Sequence, residues 1–263
     1  MRQRIGRISW AIYVFLWAWS VPLLSLDIVP VGGEFMASVM LILPGSLCGW
    51  WLIEQHGWSG AWASGAILVG SWLTEHVGVT TGVPFGSYQY NGVLLPEIIH
   101  VVPLAIPFAW LLVVPASMEI ARIFIGRVSG MILVVVSATW AVLFDIVIEP
   151  AAVYIYRYWT WLESGGLFGI PTSNFLAWWG LAFVLVTITL ILTSHHDRLE
   201  RSNVSLPALI YCMNMGLFSL VNLTHEQYGA AMLGIALLAL VAFALQRRGM
   251  RWQLRYDGLM HLA

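Results

Sequence analysis

Apolar runs of about 20 residues, the length that crosses a hydrocarbon layer ~30 Å thick, recur along the whole of this 263-residue chain. A helix that is apolar all round must be covered by protein or by lipid, and a soluble fold cannot cover this many. Composition agrees: 60% of the residues are hydrophobic and 10% charged, against roughly 25% charged in a soluble domain. Divided at Gly, Pro and charged positions, the runs fall near 8–26, 34–53, 60–79, 100–121, 130–153, 173–194, 205–222 and 228–246. The expected fold is an all-α polytopic transmembrane bundle of about eight spans. With no internal repeat or low-complexity linker, residues 1–263 are expected to form a single integral-membrane domain.

All twelve basic residues are arginine, and their placement sets an orientation, because inward loops retain positive charge. With eight spans, Arg2, Arg4, Arg7, Arg122, Arg127, Arg198, Arg201, Arg247, Arg248, Arg251 and Arg255 share one side and Arg157 takes the other. Both termini are therefore expected in the cytoplasm, with the chain in the cell membrane. An odd number of spans would move the C-terminal arginines across and break the pattern. The first run follows Arg2, Arg4 and Arg7 but passes through Trp17 and Trp19 without a small-residue cleavage site, so it reads as a retained span.

The same inventory excludes several functions. A retinal Schiff base needs a lysine amine, and there is none. Nucleic acid is not an expected partner, since the arginines form no basic stripe with interleaved aromatics. Cys48 and Cys212 lie inside apolar runs with no redox or metal spacing. No local metal-binding signature occurs either, so no metal is expected.

The polar residues that remain gather on the side opposite the arginines. Asp145 and Glu149 stand four apart in FDIVIEP, so a helix puts both carboxyls on one face. A pair this close at a membrane edge shares a proton more readily than it carries two charges, which makes it a candidate proton donor. Glu75 and His76 close the third run and lead into GVTTGVPFGSYQY, a Gly- and Pro-rich stretch holding Phe85, Tyr88 and Tyr90. This stretch reads as a re-entrant or capping loop. The loop between the fifth and sixth runs carries Trp159, Trp161 and Phe168, followed by Asn174, Phe175, Trp178 and Trp179. Aromatic faces attract cations, so such walls could stabilise a carbocation; tryptophans at this level also serve as interfacial anchors. Asn174 can orient a water or bond a neighbouring helix. His225 and Glu226 could complete the cluster from the last loop on this side, whereas His195 and His196 fall in an arginine-bearing loop and read as solvated.

Three blocks, EHVGVTTGVPFGSYQY with the following VPLAIPFAW, then DIVIEP, then Trp159 to Trp179 with GIPTSNFLAWW, occur in an order that resembles the CruF-like carotenoid biosynthesis family of membrane hydratases. They span roughly the middle half of the chain. The chain departs from the family pattern at Glu149, where the pattern has aspartate, and at Ala177, where it has glycine; the first change keeps the acid but lengthens it. The resemblance implies addition of water to a terminal isoprenoid double bond, with no cofactor and with a carotenoid or other long isoprenoid as substrate among membrane lipid. On that reading Asp145, Glu149 and Glu75 are the catalytic residues. His76, Phe85, Tyr88, Tyr90, Trp159, Trp161, Phe168, Asn174, Phe175 and Trp178 line the substrate. A carrier that binds an isoprenoid unchanged, or an isomerase or cyclase that also begins by protonating an alkene, would use the same walls.

The orientation is open to a direct check. Reporter domains fused at each end should both read as cytoplasmic in a cell-based topology assay, and opposite readings would require an odd number of crossings.

Overall fold

The computed structural model describes residues 2–33, 35–126, 130–193 and 203–249. Arg127, His195, His196, Arg198, Arg201, Arg251 and Arg255 lie outside the described residues. The described chain forms eight long helices: α1 (Arg2–Ser25), α2 (Phe35–His56), α3 (Trp58–Thr81), α4 (Ala105–Ile125), α5 (Met131–Pro150), α6 (Thr172–Thr193), α7 (Leu206–Thr224) and α8 (Tyr228–Arg247). Seven of them are long and apolar enough to cross a membrane, so the protein is built as a multi-pass integral membrane protein. Of the eight runs expected to span, α3 is the helix that falls short in hydropathy. This helix has the length, but Gly60, Gly65, Gly70 and Gly78 together with Ser59, Ser64, Ser71, Thr74, Glu75 and His76 dilute its hydropathy.

Contacts at the helix ends fix how the bundle is wound. At one end, the Tyr156 hydroxyl donates to Leu24 O at the close of α1, the Ser173 hydroxyl at the start of α6 donates to Phe85 O beyond α3, and Asn222 near the end of α7 reaches Val147 O of α5. At the other end, the Arg248 guanidinium beyond α8 donates to Phe124 O near the close of α4. Successive helices thus alternate in direction. The loops after α3 and after α5 meet at the first end, as their shared Gly- and aromatic-rich composition suggests.

α4 runs through the middle of the bundle and packs on α2, α3, α5 and α7. Glycine sets the closest of these approaches. A side chain at Gly45 would place its Cβ 2.1 Å from Phe108 O, and one at Gly49, one turn on, would come within 2.8 Å of Leu111. A pair of glycines four apart is the spacing that lets two helix backbones meet within a membrane. α3 folds back on α2 through Gly57, whose φ of 62° suits glycine. Gly60 then lies against the Leu52 carbonyl.

The all-α expectation describes the helices but not the loops. Strand β1 (Tyr88–Tyr90) pairs antiparallel with β4 (Trp159–Trp161), matching Tyr88 with Trp161 and Tyr90 with Trp159. Strands β2 (Glu97–Ile98) and β3 (Val102–Pro103) form a second small ribbon. For that reason α4 starts at Ala105 rather than near residue 100. α5 does not stop at Pro150 either. Its last turn widens into a π-helix over Ala151–Ile155, a common accommodation where proline withdraws an N–H from the ladder.

The α2–α4 approach makes a prediction. Gly45→Val should lower stability by about 1–3 kcal/mol through overpacking against the Phe108 backbone, read as a fall in the thermal midpoint of purified protein in detergent. An unchanged midpoint would mean that α2 and α4 can separate without cost.

Candidate active site

Three carboxyl groups are buried at the end of the bundle where the two aromatic loops meet. Glu75 comes from the last two turns of α3, and Asp145 and Glu149 from the last turns of α5; all are 5% exposed or less. Helical spacing aligns the α5 pair on one face, as the sequence predicts. Opposite that face stands Asn174, in the first turn of α6. Its Nδ2 donates to Asp145 Oδ2 at 3.0 Å and to Glu149 Oε1 at 3.1 Å, so one side-chain amide spends both its protons on the two acids.

The ribbon of β1 and β4 supplies most of the other donors. In a strand, alternate residues share a face, and the register puts Tyr88, Tyr90, Trp159 and Trp161 together on the inner face, with Gln89 and Thr160 paired between them. Tyr88 Oη donates to Glu75 Oε2 at 2.6 Å and Tyr90 Oη to the same oxygen at 3.2 Å. Trp159 Nε1 and Trp161 Nε1 each donate to Glu149 Oε2 at 3.3 Å. The rings also pack on one another, with Tyr88 and Trp161 centroids 5.1 Å apart and Tyr90 and Trp159 edge to face at 6.2 Å. Burial first, and then the neighbouring Glu75 carboxyl, push both phenols well above the usual tyrosine range, which keeps them protonated as donors.

From α4, Trp110 completes the surround of Glu75, donating from Nε1 to Oε1 at 3.2 Å while fully buried. Its ring stacks on Trp178 at 4.2 Å, and Trp178 lies one turn beyond Asn174 on α6. Phe85 is buried with its edge to Tyr88. Asp145 and Glu149 both lie within electrostatic reach of Glu75.

Most of the expected residues are thus brought together: Glu75, Asp145, Glu149, Tyr88, Tyr90, Trp159, Trp161, Asn174, Phe85 and Trp178. Three are not. Phe168 sits at a φ of 52°, accepts the Tyr154 hydroxyl at its carbonyl, and lies near Gly229 at the start of α8. Phe175 follows Asn174 directly, so helical geometry turns it about 100° from the carboxyl-facing side. His76 packs tilted against the Trp72 ring at 5.5 Å, and its Nδ1 is buried without a partner among the described residues. His225 turns back to Val221 O at the end of α7 and does not join the cluster. Trp110 was missed by sequence reasoning. It lies in VPLAIPFAW, but nothing in its spacing ties it to a carboxyl 35 residues earlier. Among the described residues no group of three His, Cys, Asp or Glu side chains is placed to hold a metal ion.

Fold and site together define a class: a multi-pass membrane protein with three carboxyls gathered under an aromatic ribbon at one end of its bundle. The chain belongs to the carotenoid biosynthesis protein family, which it matches over residues 36–241, the stretch that carries all of these side chains. A curated relative, bisanhydrobacterioruberin hydratase of Haloarcula japonica, is 30% identical over 115 residues, covering 43% of this chain and 39% of the relative. The match therefore spans about two fifths of that relative's length. No solved structure matches the chain.

The Asn174 bridge makes a second prediction. Asn174→Leu keeps the volume but leaves Asp145 and Glu149 facing each other without a shared donor, and should cost about 1–3 kcal/mol in thermal unfolding of the purified protein. Stability equal to wild type would show that the amide does not hold the pair.

Proposed function

We propose that this protein is a carotenoid hydratase, adding water across a terminal isoprenoid double bond to give a tertiary alcohol, and that Asp145 is the acid. The observation that carries the reading is an inequality among the three carboxyls. Both oxygens of Glu75 and both of Glu149 already accept donors. Asp145 accepts only at Oδ2 among the described residues, so Oδ1 is the oxygen with room to carry a proton and present it.

In the reaction, the Asp145 proton adds to the less substituted alkene carbon, and positive charge settles on the carbon bearing two methyl groups. Carboxyl groups and ring faces around that point favour the cation over the neutral alkene. Water then bonds to the cationic carbon and returns one proton to a carboxylate. The sum is one water gained with no electrons transferred, so the chemistry calls for no redox cofactor. Asn174 has spent its N–H groups on the acids, which leaves its Oδ1 for the water. Glu75 accepts three donors of the roughly four a carboxylate can take, leaving one place for a water proton.

A carotenoid is a rod about as long as the bilayer is thick. A site at the end of the bundle suits the end group of such a rod. With the arginine-bearing end in the cytoplasm of a cell-membrane protein, this site lies toward the outer surface. A carrier of an unmodified hydrocarbon would have no use for three carboxyls at this depth, which are costly to place there.

Expression in a lycopene-accumulating bacterium, with extracted pigments analysed by mass spectrometry, tests the reading. Wild type should yield pigment heavier by one or two waters. Asp145→Asn should lower that product by about a hundredfold or more, the scale of a lost general acid, with protein still in the membrane. Glu149→Gln is expected to do the same. Full activity in both variants, or no hydrated pigment from well-expressed wild type, would refute the assignment.

A further inference from the structure

Midway between Asp145 and Glu149 on α5, the Val147 carbonyl is tied to a neighbouring helix. In a regular α-helix the Ala151 N–H would donate to Val147 O, closing the i to i−4 ladder. Here it turns to Ile148 O as the helix passes Pro150 into its π turn. Asn222 of α7 supplies a donor in its place, with Nδ2 at 2.7 Å from Val147 O.

Two further observations set Asn222 apart from an ordinary interhelical contact. It is completely buried, and its Oδ1 has no hydrogen-bond partner among the described residues. A buried acceptor left unpaired destabilises the fold, and an apolar side chain of the same size would avoid that cost. The rotated amide would avoid nothing, because it would bring Oδ1 against Val147 O. The bundle is also closed tightly at this level. A Cβ at Gly234 of α8 would fall 2.0 Å from Ser219 Oγ of α7 and 3.1 Å from Val147 Cγ1. The backbone of Asn222 is fixed in turn, its carbonyl accepting from Gln227 N at 2.8 Å.

We infer that Asn222 is a positioning residue for the acid pair: by holding Val147 O it sets the direction in which Asp145 and Glu149 leave α5 and meet Asn174. It touches neither carboxyl. The inference takes the pair as the working site and to that extent rests on the reading above. A displacement of about 1 Å at a reacting group can cost up to a hundredfold in rate, so control of one carbonyl between two acids is control of the reaction.

Infrared spectra of the full-length protein in lipid nanodiscs provide the test. The bands of the three acids are first assigned by their loss in Asp145→Asn, Glu149→Gln and Glu75→Gln. Asn222→Ala, and the volume-conserving Asn222→Leu should the smaller side chain prevent folding, should then shift the Asp145 and Glu149 bands and leave the Glu75 bands in place. In the pigment assay the same variants should lose between tenfold and about a hundredfold of the hydrated product, with the protein still folded in the membrane. Unmoved bands for the α5 pair in a folded variant overturn the inference, as does an equal shift of all three acids, which would mark general loosening. If the bands move as expected but wild type makes no hydrated pigment, the hydration reading fails and the positioning role stands.

Discussion

A carboxyl taken out of water must be given hydrogen-bond donors, and the helix that carries it has none to give, because its N–H groups are committed to its own ladder. The arrangement at the carboxyl-bearing end of this bundle follows from that shortage. Two tyrosines, three tryptophans and one asparagine donate into the three acids. Four of those donors arrive on a ribbon made from two loops that are far apart in sequence. Side chains that are apolar over most of their surface and carry one polar hydrogen suit the task, since they fill a dry space and still leave no acid bare. Supply is uneven, and Asp145 receives least of it among the described residues.

The helices beneath are arranged to hold that enclosure at fixed dimensions. Gly45 and Gly49 bring α2 against α4, which carries Trp110 to Glu75. Gly78, beside Glu75 on α3, leaves space for the Phe85 ring, which steadies Tyr88 from behind. Ser173 at the head of α6 ties that helix to the loop after α3 through Phe85 O, so Asn174 and the tyrosines are referenced to the same point. The cluster of acids and donors is therefore distributed over α3, α4, α5, α6 and the ribbon, with no element able to form it alone.

Much of this was legible in the sequence, for identifiable reasons. Apolar length gives the helices because lipid imposes a fixed thickness on any span. The Asp145 and Glu149 pairing is visible because four residues is slightly more than one turn. The ribbon was not visible as strands. YQY and WTW are too short to show alternation, and their partnership pairs residues such as Gln89 and Thr160 from loops far apart in the chain. Trp110 was hidden for the same reason, since its role comes from helix packing and not from its neighbours in the chain. Phe168 and Phe175 illustrate the converse: aromatic, close to the right residues in sequence, and turned away by backbone conformation. Asn222 sits in an apolar helix with nothing nearby to mark it, and only the unclosed ladder of α5 gives it meaning.

The composition of α3 bears on how such a protein is made. Among the described residues it is the one long helix whose own hydropathy falls short of a membrane span, and its last two turns carry the acid that later receives three donors. Those donors, at positions 88, 90 and 110, leave the ribosome after α3 does. During synthesis, then, α3 exists for a time as a glycine-rich segment with an uncovered acid, beside α2 and joined to it by the tight turn at Gly57. In the finished fold the hairpin with α2 and the packing of α4 are what cover α3, so the first four helices form one packed group.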